Sequence, residues 1–490
     1  MRIPRFVACV ASLALVPASL AQPLSFNVTL GEDALDHPYT GRIYVALSTP
    51  GGAKPRDAMH EWFNPPPVFA MDVDRLHPGA SVIVGPGILS HPTPMDQLPP
   101  GAYTAQAILR IDPDSPKPGQ GAGDLVSGVV TFEVVEGEEH RVELLVEHAI
   151  PPQEFKETDR VRLFEQRSEL LSAFHGRDVF NRAAVILPER YAEQPERTWP
   201  VVYWIGGFGG SHRDALWTLP MISQIEGASE ILWVVPDATC YWGHSVFADS
   251  TTNGPRGRAL IEEMIPAIES SFRGAQSPQH RYVSGISSGG WASLWLQVTY
   301  PDAFAGVWSH CPDPIDFHDF QQIDLYEGAS SMFVDAGGDD RPVARRGDQV
   351  VLHYRDFVAR ENVLGPGGQI RSFEAVFSPL APEGTPARMF DPETGEIDHG
   401  VAETWRPYDI SNTLRTKWPE LESHLAGKLH VIAGEVDNFY LEGPVESLKE
   451  WAEAHDVPAD IQIIPGMGHT VHAPAMVDMV KTVRERWASK

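Results

Sequence analysis

The chain has 490 residues, 42% of them hydrophobic and 21% charged, which is enough for two domains and for a core without covalent staples. Its formal net charge of −28 makes an acidic surface that repels nucleic-acid phosphates. Nucleic-acid binding is therefore excluded as the simple reading, while the charge says little about any other substrate.

Residues 1–21 read as a signal peptide. Arg2 and Arg5 precede the apolar run from Phe6 to Leu15, and the small residues of Ser19-Leu20-Ala21 stand before Gln22. The run is too short to span a bilayer, and no later stretch reaches transmembrane length. The expectation is a secreted or periplasmic protein without a membrane span. Residues 22–150 alternate short apolar runs with Gly and Pro punctuation, as in Arg42 to Leu47, Ser81 to Val84, Tyr103 to Leu109 and Val129 to Val134. That is the profile of a β-sandwich accessory domain. It carries no constellation with obvious chemistry, and packing against the rest of the chain is the plainer role for it than carbohydrate binding.

Pro151-Pro152 marks a boundary. Val161, Phe164, Leu170, Leu171 and Phe174 then recur at helical spacing, so a connecting helix is expected over 151–174. From 175 to 490 strands alternate with helices, which predicts a mostly parallel sheet covered on both faces. The strands are expected at Val185 to Leu187, Val201 to Ile205, Ile231 to Asp237, Arg281 to Ser284, Phe304 to Ser309, Leu429 to Ala433 and Ile461 to Ile464. The rhythm breaks at about 313–427, read as an insertion on the edge of the sheet that carries the chemistry, able to form a lid or substrate wall. Cys240 and Cys311 remain once Cys9 leaves with the signal. Two free buried thiols are the default, and a bridge is the alternative.

Gly285-Ile286-Ser287-Ser288-Gly289 reads G-x-S-x-G between a strand pattern and a helix pattern. Such a turn lifts a serine out at the carboxyl edge of a parallel sheet. A serine hydroxyl needs a base, and the base needs a carboxylate to orient it. Asp437, after the strand ending at Ala433, and His469, after the strand ending at Ile464, lie at that same edge. Ser287, Asp437 and His469 are therefore the candidate catalytic residues. Their rivals are Ser284 and Ser288 for the nucleophile, Asp335 and Glu435 for the acid, and His472 for the base. The backbone N–H groups of Ser288 and Phe208 are the candidate oxyanion donors, Phe208 because it sits in the loop Gly206-Gly207-Phe208-Gly209-Gly210. Trp242, His244 and Phe247 are candidate pocket residues. Asp313, Asp316, His318 and Asp319 form an acidic run read as a solvated loop, and no metal is expected.

These stretches resemble the esterase D family of α/β-hydrolases, which includes feruloyl, acetyl xylan and enterochelin esterases and mycolyltransferases. The resemblance covers roughly 175–315 and 428–475. It rests on Leu187 to Tyr191 with Trp199 to Trp204, on Gly285 to Gly290 with Tyr300 to Gly306, on Gly434 to Asn438, and on Gly466 to His469. The family usually has His-Gly where this chain has Gly206-Gly207. The resemblance implies an α/β-hydrolase fold, no cofactor, and ester cleavage by Ser287, Asp437 and His469. The expected substrate is a small-molecule or polysaccharide-linked ester. An acyltransferase of the same fold and a non-catalytic binding protein with a vestigial site are the alternatives, and the oligomeric state is left open.

Overall fold

The computed structural model describes residues 24–327 and 330–489, so the signal-peptide segment lies outside the described residues. The first domain is built from nine strands in one hydrogen-bonded sheet. The sheet bends over itself, because the alternating apolar residues of each strand bury best against one another. Phe26 of the strand Leu24–Leu30 meets Phe69 and Phe132 from other strands, with ring centroids 6.1 and 5.6 Å away. The folded sheet encloses a core that includes Val28, Ile43, Val45 and Leu109.

The second domain is built on an eight-stranded sheet. Its strands in chain order are β1 (Val161–Arg167), β2 (Phe180–Ile186), β3 (Val201–Ile205), β4 (Leu232–Pro236), β5 (Arg281–Ile286), β6 (Val307–His310), β7 (Leu429–Gly434) and β8 (Asp460–Ile464). The spatial order is 1-2-4-3-5-6-7-8. Strand β2 runs antiparallel to both neighbours and the rest pair in parallel. This is the α/β-hydrolase sheet. Its central strands read as unbroken apolar runs because both faces are covered: β3 and β4 are buried at every residue.

The connecting helix expected over 151–174 is not what forms. Residues 161–167 are strand β1, and only Glu169–His175 is helical. In β1, Val161 and Phe164 are the two buried residues. Their spacing of three mimics a helix face, but the segment bonds as an edge strand along the whole of β2. The short helix starts at Ser168, whose side chain caps it by accepting from the Leu171 N–H.

The insertion between β6 and β7 is largely ordered into elements of its own. It holds a hairpin (Pro342–Arg346 with Gln349–His353), the helix Ile410–Leu425 and two helices close to the sheet edge. We label helix Ser288–Thr299 α1 and the two insertion helices α2 (Tyr354–Leu364) and α3 (Gln369–Phe377). The insertion shares one apolar core with the sheet. Phe373 and Phe377 of α3 belong to it, as do Trp291 of α1 and Val283 of β5.

The β domain grips this insertion and also the core before it, where its Asp114 pairs with Arg177 at 2.6 Å. Arg42 Nη1 donates to the carbonyls of Asn362 and Val363 at the end of α2, and the Tyr44 hydroxyl donates to that of Leu364 at 2.7 Å. Val363 and Leu364 complete an apolar cluster with Tyr44, Ala46 and Ile108. Arg110 donates to the carbonyls of Pro366 and Tyr241, each at 2.6 Å, and to that of Ser115, with its guanidinium 3.7 Å from the centre of the Tyr241 ring. Arg110→Ala leaves these carbonyls without a charged donor. It is expected to lower stability by about 1–3 kcal/mol, measured by chemical denaturation of the full chain.

Candidate active site

Ser287 occupies the junction of β5 and α1 with φ 59° and ψ −125°, a conformation that non-glycine residues rarely adopt. The flanking glycines make the turn possible. A Cβ at Gly285 would collide with the Gly289 carbonyl, and one at Gly289 would collide with the Ile205 carbonyl of β3. The turn is held from outside as well: Ser287 N–H donates to the His310 carbonyl at 3.0 Å, and its own carbonyl accepts from Trp291 and Asp313 N–H. Strain of this kind survives only where the surroundings over-determine it.

His469 follows the turn after β8, and Asp437 follows β7. His469 Nδ1 lies 2.8 Å from an oxygen of the fully buried Asp437 carboxylate. The other Asp437 oxygen accepts from Phe439 N–H at 2.8 Å. Asn438 accepts from His469 N–H at 2.8 Å, tying the two loops together. Arg345 of the insertion hairpin donates to the Asp437 carbonyl and pairs with Glu442 at 2.6 Å. Burial disfavours the charged form of His469, but the bond to Asp437, with the Cys311 sulfur close by, outweighs it and raises the ring's pKa above the ordinary imidazole value. Ser287 and His469 both line one cavity of about 340 Å³ at the carboxyl edge of the sheet.

Phe208 lines the same cavity. The adjacent Gly207 lies so close to the serine that a Cβ there would come within 3.2 Å of the Ser287 Cβ. Ser288 is the first residue of α1, so its N–H is among those a helix start leaves without an intrahelical acceptor.

Apart from Ser288, which is buried beside Ser287 with its hydroxyl on Asp313, the rival residues are placed elsewhere. Ser284 is buried with its hydroxyl on the Trp308 carbonyl. Glu435 is exposed and accepts from Gly466 N–H. Asp335 is exposed and binds its own loop's N–H groups. His472 precedes the last helix and is not among the residues lining the cavity.

The three expected pocket residues do not line this cavity. His244 and Phe247 are buried, and Trp242 faces a separate cavity with Asn253 and Arg256. The reason is α3: Ser372 bonds both the N–H and the carbonyl of His244, and Arg371 lies over the Trp242 ring, so the insertion covers this segment.

The acidic run at 313–319 is not a solvated loop throughout. Asp313 and Asp316 are buried. Asp316 pairs with Arg415 of the insertion at 2.9 Å. Asp313 lines the cavity and accepts from the hydroxyls of Ser287 at 3.2 Å and Ser288 at 2.5 Å, and from the Gln369 amide of α3 at 3.4 Å. Burial raises its pKa, against the opposing effect of these donors and of His469.

Cys240 and Cys311 are both buried and unbridged. Cys311 Sγ, an Asp437 oxygen and a His469 nitrogen lie within 4.8 Å of one another, and among the described residues they are the group with spacing able to hold a metal ion. Also among the described residues, no helix is long and apolar enough to cross a membrane.

Residues 179–351 match the esterase family model, described as "Putative esterase". The match contains the Ser287 turn and the start of the insertion. Esterase Rv1288 of Mycobacterium tuberculosis is 29% identical over 159 residues, which is 31% of this chain and 34% of that protein. The chain thus aligns with about a third of the length of that relative. Among solved structures, a ferulic acid esterase aligns with 67% of this chain and 99% of its own at 14% identity and a TM-score of 0.39. The S-formylglutathione hydrolase of Agrobacterium tumefaciens aligns with 66% of this chain and 95% of its own at 15% identity and a TM-score of 0.39.

Asp313→Ala leaves the buried Ser288 hydroxyl without its acceptor. It is expected to cost about 1–3 kcal/mol of stability, read from the denaturant midpoint.

Proposed function

We propose that the protein is an exported hydrolase of carboxylic esters that works through an acyl-enzyme. The observation that carries this reading is the meeting of Ser287 and His469 on one cavity, with Asp437 bonded to the far side of the imidazole. Ser287 Oγ attacks the ester carbonyl while His469 Nε2 accepts its proton. Asp437 holds the ring in the tautomer that presents Nε2 and stabilises the imidazolium that forms. The N–H groups of Phe208 and Ser288 face the oxyanion. The imidazolium then protonates the departing alcohol, and a water molecule activated by the same ring releases the acid. In the free protein the serine hydroxyl donates to Asp313 at 3.2 Å, and that bond must give way before the proton passes to His469. Catalytic hydrogen bonds in unliganded sites commonly tighten only when substrate arrives.

The cavity lining suggests the acyl group. Trp62, Phe208, Phe357, Phe373 and Phe439 supply an aromatic wall, with Gln321 and Gln369 as the neutral polar groups. Such a lining fits a flat or bulky acyl group better than acetyl. The charged and then apolar N-terminus supports export, and an ester borne by an extracellular polysaccharide fits that location.

Wild type is expected to turn over p-nitrophenyl esters, and Ser287→Ala to lose at least about a thousandfold in kcat. Undiminished activity in that variant would overturn the assignment. Asp437→Asn removes the charge that raises the His469 pKa. The base form of His469 then persists to lower pH, so the acid limb of the kcat/KM profile moves down in pH. The plateau falls by about 10³–10⁴ as the tautomer control is lost. A pH–rate profile of both proteins checks the two effects together.

A further inference from the structure

The β domain sends one loop into the cavity. After the helical turn Pro55–Ala58, the chain carries Trp62 and Phe63 to the lining of the Ser287 site. The loop is anchored on both sides: Arg360 of α2 donates to the Met59 carbonyl at 3.4 Å, and His60 Nε2 lies 3.0 Å from the Pro118 carbonyl. The Trp62 ring stands 5.1 Å from Phe357 of the insertion, 6.0 Å from Phe208 of the glycine loop and 6.4 Å from Phe439 of the acid loop. Phe439 in turn stands edge-on to His469 at 4.9 Å. One indole from the β domain is thus the common neighbour of three separate elements around the serine.

Behind Trp62 lies a second cavity of about 200 Å³. It shares Trp62, Phe208 and Gln369 with the first, and its lining includes the polar His60, Lys117, Arg360 and Glu361, where the first is lined mainly by apolar residues with aromatic rings prominent among them. Trp62 therefore stands between an aromatic space and a polar one.

We propose that the Trp62–Phe63 loop of the β domain is the acyl-specificity determinant of the Ser287 site, with Trp62 as the partition that closes the acyl cavity. This rests on the ester-hydrolase reading above. A flat ring entering beside Ser287 is held between Trp62 and the phenylalanines. A long flexible chain meets the indole and stops. Replacing the indole by a methyl group joins the two cavities and opens a path for the chain.

The test uses the full chain and p-nitrophenyl acetate, octanoate and benzoate. For Trp62→Ala, kcat/KM for octanoate relative to benzoate is expected to rise by roughly tenfold or more, the scale of pocket discrimination by apolar contacts. Trp62→Phe keeps a ring in place and is expected to stay within about threefold of the wild-type ratio. Phe63 is 51% exposed, so Phe63→Ala carries little folding cost and is expected to move the ratio in the same direction by about threefold. If Trp62→Ala does not fold, Phe63→Ala decides alone. Parallel losses for all three esters, or ratios unchanged in the folded variants, overturn the proposal, because a loop that only glues domains together has no means of sorting acyl groups. An active wild type with unchanged ratios overturns this inference alone, whereas a wild type inert toward every ester overturns the hydrolase reading and this inference with it.

Discussion

The arrangement depends on one tight backbone crossing, in which the end of β5 and the start of α1 pass against β3 with no room for a side chain at Gly285 or Gly289. That contact forces Ser287 into its positive-φ conformation and pushes its side chain outward at the sheet edge. Because the main sheet is parallel from β4 through β8, the loops after β3, β7 and β8 open at the same edge. The glycine loop, the acid and the histidine reach the serine from there without any long excursion of the chain. The strain at Ser287 is sustained by its neighbours, chiefly the bond to the His310 carbonyl and the Asp313 N–H that binds its own carbonyl.

The added parts of the molecule close over this edge. The insertion contributes Phe357, Ile370 and Phe373 to the cavity wall, and its hairpin steadies the acid loop through Arg345. The β domain is bonded to the insertion through Arg42, Tyr44 and Arg110. A displacement of the β domain would therefore reach the site by two routes, through α2 and through Trp62. The two domains share the job of shaping one cavity, which is why the β domain need not carry chemistry of its own to affect chemistry.

Much of this was legible in the chain. The buried strands β3, β4 and β7 read as apolar runs because parallel strands are covered on both faces. The serine turn, Asp437 and His469 were readable because local glycine patterns place them at strand ends. The failures share a cause. Strand β1 mimics a helix because Val161 and Phe164 are three apart, whereas in the strand they point to opposite faces and enter separate cores, which only the pairing with β2 decides. The placement of Trp242, His244 and Phe247 was misjudged because α3, more than a hundred residues away, covers them. The burial of Asp313, and the approach of Trp62 from the other domain, are likewise long-range outcomes without a local signature.

Two carboxylates now stand near the reactive centre, and their surroundings divide the work between them. Asp437 is fully buried, but it accepts a backbone N–H and faces the imidazole that gains a proton in the proposed mechanism, so its charge is useful there. Asp313 accepts from Ser287, and in the proposed mechanism a permanent negative charge there would oppose the oxyanion. Burial shifts Asp313 toward its neutral form. In the proposed mechanism the Asp313 carboxyl holds the serine at rest while Asp437 serves the proton transfer, and the difference follows from which partner each one faces.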